Sequence, residues 1–167
     1  MKSVIVYGST GGMTEEVADE LGELLGAIKL DAADATADDI DGCDLLILGA
    51  STWYEGELQE DMADFVEKFT DMDISVVCAA IFGTGDQYGY AETFVDGIED
   101  IALALDAKGI RRIGDWPVKG YEFEASRAQT GDHFKGLVLD LDNEASKTTH
   151  RLTSWVEVLK SSCLSLA

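Results

Sequence analysis

The sequence predicts an α/β fold, a doubly wound parallel sheet with helices on both faces. Two observations carry this expectation. Apolar runs recur at 3–7, 27–31, 44–50 and 74–82, and the longer ones are near-continuous rather than alternating, the pattern of strands covered on both faces. Between them, apolar residues return every three or four positions, as in helices that bury one stripe. Strands alternating with helices along a chain pair in parallel through right-handed crossovers.

Ser3–Tyr7 reads as the first strand, followed by a helix whose stripe is Val17, Leu21, Leu24 and Ile28. "AIKLD" at 27–31 is a short second strand and Asp44–Ala50 a third. The helix "GELQEDMADFVEKF" offers Leu58, Met62, Phe65 and Phe69 to the sheet. The fourth strand is Ile74–Phe82, and Phe94, Ile98, Ile101 and Leu105 mark the helix after it. Pro117 in "IGDWPVKGY" has no amide hydrogen for a ladder, so that segment belongs at an edge. The polar, aperiodic segment at about 119–136 reads as an excursion before "GLVLDL" resumes the strand pattern. Leu152, Trp155 or Val156, and Leu159 face the core from a last helix. The expectation is one domain over 1–167 with one insertion.

Charge narrows the function. The chain has 33 acidic and 12 basic residues, a net −21. Phosphate backbones recruit basic faces, so nucleic acid is excluded as a partner, and anionic membranes are disfavoured. The acidity serves solubility or a saline habitat, or it steers the protein toward a basic partner. No apolar run approaches the roughly 18 residues of a membrane span, and "MKSVIVYG" enters a strand with no signal peptide ahead of it. Cys43, Cys78 and Cys163 have no metal or redox spacing, and Cys78, inside an apolar run, is expected to be buried. An odd count without a framework suits a reducing, cytoplasmic location. His133 and His150 are too far apart in sequence to suggest a ligand pair and are expected at the surface.

In open α/β sheets ligands gather outside the C-terminal strand ends. Three loops qualify: 8–14, 50–57 and 83–90. In the first, "YGSTGGMTEE", no cation lies between Lys2 and Lys29. Gly11 and Gly12 let backbone approach an anion, Ser9, Thr10 and Thr14 carry hydroxyls, and the helix start supplies unpaired amides. The loop is therefore either a neutral phosphate cradle or a tight turn with a threonine cap. It lacks the Gly-Lys-Ser/Thr of a nucleotide-triphosphate loop and the G-x-G-x-x-G of a dinucleotide fold. The second, "STWYEGELQ", places Trp53 and Tyr54 after a buried strand, and the third, "GTGDQYGYAE", combines glycines with Tyr88 and Tyr90. Aromatics flanking a crevice sandwich a flat ring. Together the loops point to a flat, phosphorylated cofactor.

With these stretches, and with "GYEFEASRAQTGDHFKGLVLDLDNEASKTTHRLTSWVEVL", nearly the whole chain resembles a flavodoxin of the long-chain type. The resemblance implies a five-stranded parallel sheet in the order 2-1-3-4-5, with an insertion in the last strand, and one-electron transfer by non-covalent FMN. It places the phosphate on Ser9, Thr10, Gly11, Gly12, Met13 and Thr14, and ribityl contacts around Ser51 and Thr52. Trp53 would cover one face of the isoalloxazine and Tyr90 the other, with Tyr54, Glu55 and Gly56 in the adjoining turn. The pyrimidine edge would meet backbone groups of Gly83, Thr84, Gly85, Asp86 and Gln87. Gly11 stands where the family often has a second threonine and Met13 where it often has asparagine, leaving fewer side-chain donors beside the backbone amides. The family's peptide after the tryptophan typically turns on reduction. Here it joins Tyr54 to Glu55, neither of them glycine.

The resemblance further implies a monomer, with basic redox proteins as partners: reductases of the ferredoxin-NADP type, photosystem I or other low-potential oxidoreductases. The alternative is a flavodoxin-like NAD(P)H:quinone oxidoreductase, which needs substrate room beside the ring. A flavin capped on both faces favours the carrier.

Overall fold

The computed structural model describes residues 1–166. Five parallel strands form the centre: β1 Ser3–Gly8, β2 Ile28–Asp31, β3 Cys43–Trp53, β5 Val76–Thr84 and β9 Leu137–Leu139. Their order across the sheet is β2-β1-β3-β5-β9, which is the predicted 2-1-3-4-5 with the fifth position filled by β9. A short strand, β4 (Glu57–Leu58), folds back antiparallel on the end of β3. The helices are α1 Met13–Leu25, α2 Ala37–Ile40, α3 Glu60–Phe69, α4 Gly97–Ala107, α5 Leu141–Glu144 and α6 Thr148–Leu164.

The near-continuous apolar strands have a simple cause. Successive side chains point to opposite faces, and both faces are covered. Val4, Val6, Leu46, Leu48 and Ile81 pack against Met62, Phe65 and Phe69 of α3 and Ile98, Ile101 and Leu105 of α4. Their neighbours Ile5, Leu45, Ile47, Ala80 and Phe82 pack against Val17 and Leu21 of α1 and Leu152, Trp155 and Leu159 of α6.

The edge strand is built in two pieces. Ile113 donates its amide to the Ala79 carbonyl at 2.8 Å, and Ala79 donates to Arg111 at 2.9 Å. The chain then leaves the sheet and returns only at β9, opposite Phe82, Gly83 and Thr84. Between the pieces, β6 (Trp116–Pro117), β7 (Gln129–Thr130) and β8 (His133–Phe134) make a small antiparallel sheet in the order β6-β8-β7, so Pro117 does lie in an edge strand. This excursion is less polar in space than in sequence. Tyr121, Phe123 and Phe134 gather around Phe94, with ring centroids 5.4 to 6.1 Å from its own.

Three details differ from the sequence expectation. Helix α1 stops at Leu25 because Gly26 takes a left-handed conformation (φ 62) and caps it. Leu24 is therefore exposed, and Ile28 lies in β2 rather than on the helical stripe. Leu58 and Phe94 precede their helices, in β4 and in the loop before α4. The final strand covers less than "GLVLDL", because Asp140 caps α5 by accepting from the Asn143 amide at 3.0 Å. In the terminal "CLSLA", α6 runs through Leu164 and Leu166 donates to the Cys163 carbonyl, while Ala167 lies outside the described residues. Among the described residues, no helix is long and apolar enough to cross a membrane.

Candidate functional site

The C-terminal ends of β1, β3, β5 and β9 open into one cavity of about 270 Å³. Its walls come from four loops. Ser9, Gly11, Met13 and Thr14 follow β1, and Ser51, Thr52 and Trp53 end β3. Thr84, Gly85, Asp86 and Tyr90 follow β5, while Leu141 and Asp142 follow β9.

At the first loop, α1 begins on Gly12, whose φ of 93 turns the chain sharply, and no side chain caps the helix. The amides of its first turn are left to whatever occupies the cavity, at the positive end of the helix dipole. The hydroxyls do more internal work than the sequence suggested. Ser9 Oγ accepts from the Gly12 amide at 3.1 Å, shaping the loop. Thr10 Oγ1 accepts from Gln59 Nε2 at 3.2 Å and does not line the cavity. Thr14 Oγ1 meets Thr84 Oγ1 at 2.9 Å, a buried bond that ties the first loop to the third. The acidic start of α1 is partly turned aside, since Glu15 accepts from the Tyr7 hydroxyl at 3.1 Å. Burial and that hydrogen bond push the Tyr7 phenol above its usual range.

At the second loop, Trp53 Nε1 donates to Ser51 Oγ at 2.7 Å, which fixes the indole against the cavity. Thr52 Oγ1 accepts from the Gly97 amide at 2.9 Å, so this strand end also caps the start of α4. Beyond Trp53 the chain turns, with the Gly56 amide bonded to the Trp53 carbonyl at 3.1 Å. Tyr54 takes φ 47 in this turn, a left-handed conformation rare for a bulky residue, and its ring is 73% exposed. Tyr54, Glu55 and Gly56 border the site rather than lining it.

The third loop is held by carboxylates. Asp86 Oδ1 accepts from the amides of Gly89 (2.8 Å) and Tyr88 (3.0 Å) and from Asn143 Nδ2 (2.8 Å). The Gly89 amide, with Asn143 and Tyr88, holds the Asp86 carboxyl below the usual carboxylate range. Gln87, expected at a ring edge, is buried instead: its amide and Nε2 both donate to Asp140 Oδ2, at 3.1 and 2.8 Å. Gly83 faces α4, where an added Cβ would meet Ile98 at 2.7 Å. Tyr90 stands half-exposed on the cavity that Trp53 also lines.

Leu141 and Asp142 were missed, because "GLVLDL" reads as strand up to its last leucine. The rule that ligands collect at strand ends would have added this fourth loop. Burial and the neighbouring Asp86 and Asp140 push the Asp142 carboxyl upward. Among the described residues, no lysine or arginine lines the cavity. The arrangement suits a flat, apolar ring with a phosphate tail held by amides.

Comparison with known proteins agrees with this geometry. The flavodoxin family profile matches residues 5–155. Flavodoxin 1 of Salmonella typhimurium is 39% identical over 157 residues, covering 92% of this chain and 89% of its own. A flavodoxin of Nostoc is 38% identical over 161 residues, with 94% of each chain covered. Among solved structures, a mutant of Fusobacterium nucleatum flavodoxin bound to flavin mononucleotide superposes with a TM-score of 0.90 at 25% identity, over 97% of each chain. By profile, by relatives and by fold, the chain belongs to the flavodoxin family.

Proposed function

We propose that this protein is a low-potential one-electron carrier that holds FMN non-covalently in the cavity at the strand ends. The observation that carries the reading is the uncapped start of α1 opening on the same cavity as Trp53 and Tyr90. The residues fit the group. Space beside Gly11 is open, with nothing within 4 Å of an added Cβ, so phosphate has room beside the first-turn amides of α1. Each hydrogen bond to an ionised oxygen is worth about 1.5–3 kcal/mol, so several amides replace a cation.

FMN supplies the one-electron chemistry; the chain needs no acid, base or nucleophile and sets the potentials by differential binding. Ser9, Gly11, Gly12, Met13 and Thr14 hold the phosphate, while Ser51 and Thr52 face the ribityl chain. Trp53 and Tyr90 cover the ring, and Thr84, Gly85 and Asp86 meet its polar edge. Asp86 and Asp142 place carboxylates on the cavity wall. One carboxylate at ~10 Å opposes an added electron by roughly 1.7 kcal/mol at an effective dielectric of 20, on the order of 70 mV for a one-electron step. Several such groups keep the second potential low. Two aromatic covers also favour a carrier over an NAD(P)H:quinone oxidoreductase, which needs an open face. The protein works as a monomer, and its partners are basic redox proteins such as ferredoxin-NADP-type reductases or photosystem I.

The test is FMN titration of the purified polypeptide, then stepwise dithionite reduction followed in the visible. The expected result is stoichiometric uptake and bleaching in two resolved one-electron waves. A polypeptide that takes up no FMN rejects the reading, and rapid NADPH oxidation by the loaded protein reverses the choice in favour of the reductase.

A further inference from the structure

Far from the cavity, two cysteines that sequence spacing did not connect are in contact. Cys78 on β5 and Cys163 in the last turn of α6 bring their Sγ atoms to 3.0 Å, 85 residues apart in the chain. Both thiols face the carbonyl of Asp44, Cys78 at 3.3 Å and Cys163 at 3.5 Å. Both belong to the core between the sheet, α1 and α6. Cys43, the remaining thiol, packs in the core on the opposite face. Cys163 also lines a second cavity of about 190 Å³ with Met1, Asp44, Val77 and Leu164.

We infer that Cys78 and Cys163 are a reversible oxidation site that closes to an intramolecular disulfide between β5 and α6. Closing the bond to about 2.05 Å asks each sulfur to move by only about half an ångström. The last turn of a helix near the chain end yields this easily.

The two sulfurs have different roles. Cys163 meets the oxidant because it faces the second cavity, which is large enough for a small hydroperoxide. Its thiolate attacks the peroxide, the O–O bond breaks, and a sulfenic acid and one water (or alcohol) form. Cys78 then attacks that sulfur: the S–S bond forms, and the hydroxyl leaves as water with the Cys78 proton. Two thiols and one hydroperoxide thus give one disulfide, one water and one water or alcohol. Burial, followed by the hydrogen bond to Cys163, pushes the Cys78 thiol strongly upward, so Cys78 stays protonated and is not the thiol that peroxide oxidises first. Both sulfurs are almost wholly shielded from solvent, so the reaction is slow and responds to sustained oxidation.

The site is independent of the strand-end cavity. Thr84 lies six positions along β5 from Cys78, about 20 Å at strand rise. Its consequence is mechanical: a covalent staple between β5 and the last helix.

The test uses the protein as purified, reduced and then freed of reductant. It is incubated with a small excess of hydrogen peroxide, quenched with catalase, denatured and alkylated with N-ethylmaleimide for peptide mass mapping. The expected result is label on Cys43 alone, a Cys78–Cys163 cross-linked peptide, and restoration of all three free thiols by dithiothreitol. The unfolding midpoint should rise by about 10 °C on oxidation, and Cys163→Ser should show neither cross-link nor rise. In Cys78→Ser, dimedone should trap a sulfenic acid at Cys163. Label on all three cysteines after peroxide overturns the inference. So do a sulfinic acid at Cys163 with Cys78 still free, and a cross-link through Cys43 or between two chains.

Discussion

Arg127 donates through Nη2 to the carbonyl oxygen of Gly56 at 2.9 Å, a bond from the excursion to the turn after Trp53. The same side chain donates through Nε to Asp96 Oδ2 at 3.2 Å, while its backbone amide reaches Asp96 Oδ1 at 2.7 Å. Asp96 is buried and sits directly under Gly56, where an added Cβ would meet its carboxylate at 2.7 Å. The inserted segment thus anchors the turn that borders the cavity. Arg127→Ala leaves a buried carboxylate without its cation and a turn without its anchor. It should cost about 2 kcal/mol in urea unfolding, and the Gly56 amide should exchange faster with deuterium. Arg127→Lys keeps the charge but not the fork, so it should lose about half as much.

The hydroxyl pair Thr14–Thr84 makes a sharper test of the cavity floor. Thr14→Val keeps the volume but leaves Thr84 Oγ1 buried with no partner from α1. An unsatisfied buried polar group costs about 1–3 kcal/mol. The variant should lose stability in that range and bind FMN more weakly, because the first and third loops are no longer tied together. Thr14→Ser should restore most of both. Wild-type FMN affinity in Thr14→Val, measured by flavin fluorescence quenching, would remove this bond from the site.

Much of this was legible because burial on both faces leaves a local mark. Val4 and Ile5 face opposite cores, so the run shows no polar gap, and the strand order followed from the family resemblance. The stripe Val17, Leu21, Leu24, Ile28 failed at its second half because one glycine, Gly26, outweighs the periodicity. At the site, the glycine, hydroxyl and aromatic loops could be read because each follows its own strand. What stayed hidden was pairing at a distance. Nothing near Gln87 announces that Asp140 will bury it, and nothing near Cys78 points to Cys163. The local sequence presents the hydroxyls of Thr10 and Thr14 as phosphate donors, yet their partners on Gln59 and Thr84 lie 49 and 70 residues away.

Tyr54 holds φ 47 at the turn beside Trp53. A non-glycine residue in that region carries on the order of 1–2 kcal/mol of strain, and it resists further change. If the Tyr54–Glu55 peptide reorients when the bound ring takes its first electron and proton, glycine makes that movement easier. Tyr54→Gly should then widen the separation of the two one-electron potentials by roughly 40 mV for each kcal/mol by which glycine favours the reoriented peptide over the resting one. The measurement is a spectroelectrochemical titration, and an unchanged or narrower separation counts against a moving peptide. Because the ring of Tyr54 is exposed, the variant should fold normally.

Asp86 links the third loop to pH. Its folded value is depressed below 3.8, chiefly by the Gly89 amide with Asn143 and Tyr88. A depressed carboxylate stabilises the fold above its unfolded value, and that contribution disappears as pH falls through the folded value. The loop should therefore be fully held at neutral pH and loosen below about pH 4, releasing FMN with a rise in flavin fluorescence. Asp86→Asn cannot supply the same acceptor charge. It should bind FMN about tenfold more weakly at neutral pH, with a flatter loss in acid. Identical acid profiles for the two proteins would place the titrating group elsewhere.

The net charge of −21 makes ionic strength the probe of partner docking. The rim of the cavity carries exposed carboxylates from three segments: Glu15 and Glu16 on α1, Glu55 and Glu57 around the turn, and Glu92 after Tyr90. A basic redox protein steered by this field should lose encounter rate as the Debye length shrinks from about 30 Å at 0.01 M to about 3 Å at 1 M. A complex that docks too tightly at low salt to reach a productive orientation should instead show an optimum between these limits. Glu55→Lys with Glu57→Lys replaces two negative charges by two positive ones at the mouth without touching the cavity lining. That variant should react more slowly at low salt and converge with the wild type at high salt, by stopped-flow reduction. If the charge serves only solubility, the two proteins will instead show the same salt profile.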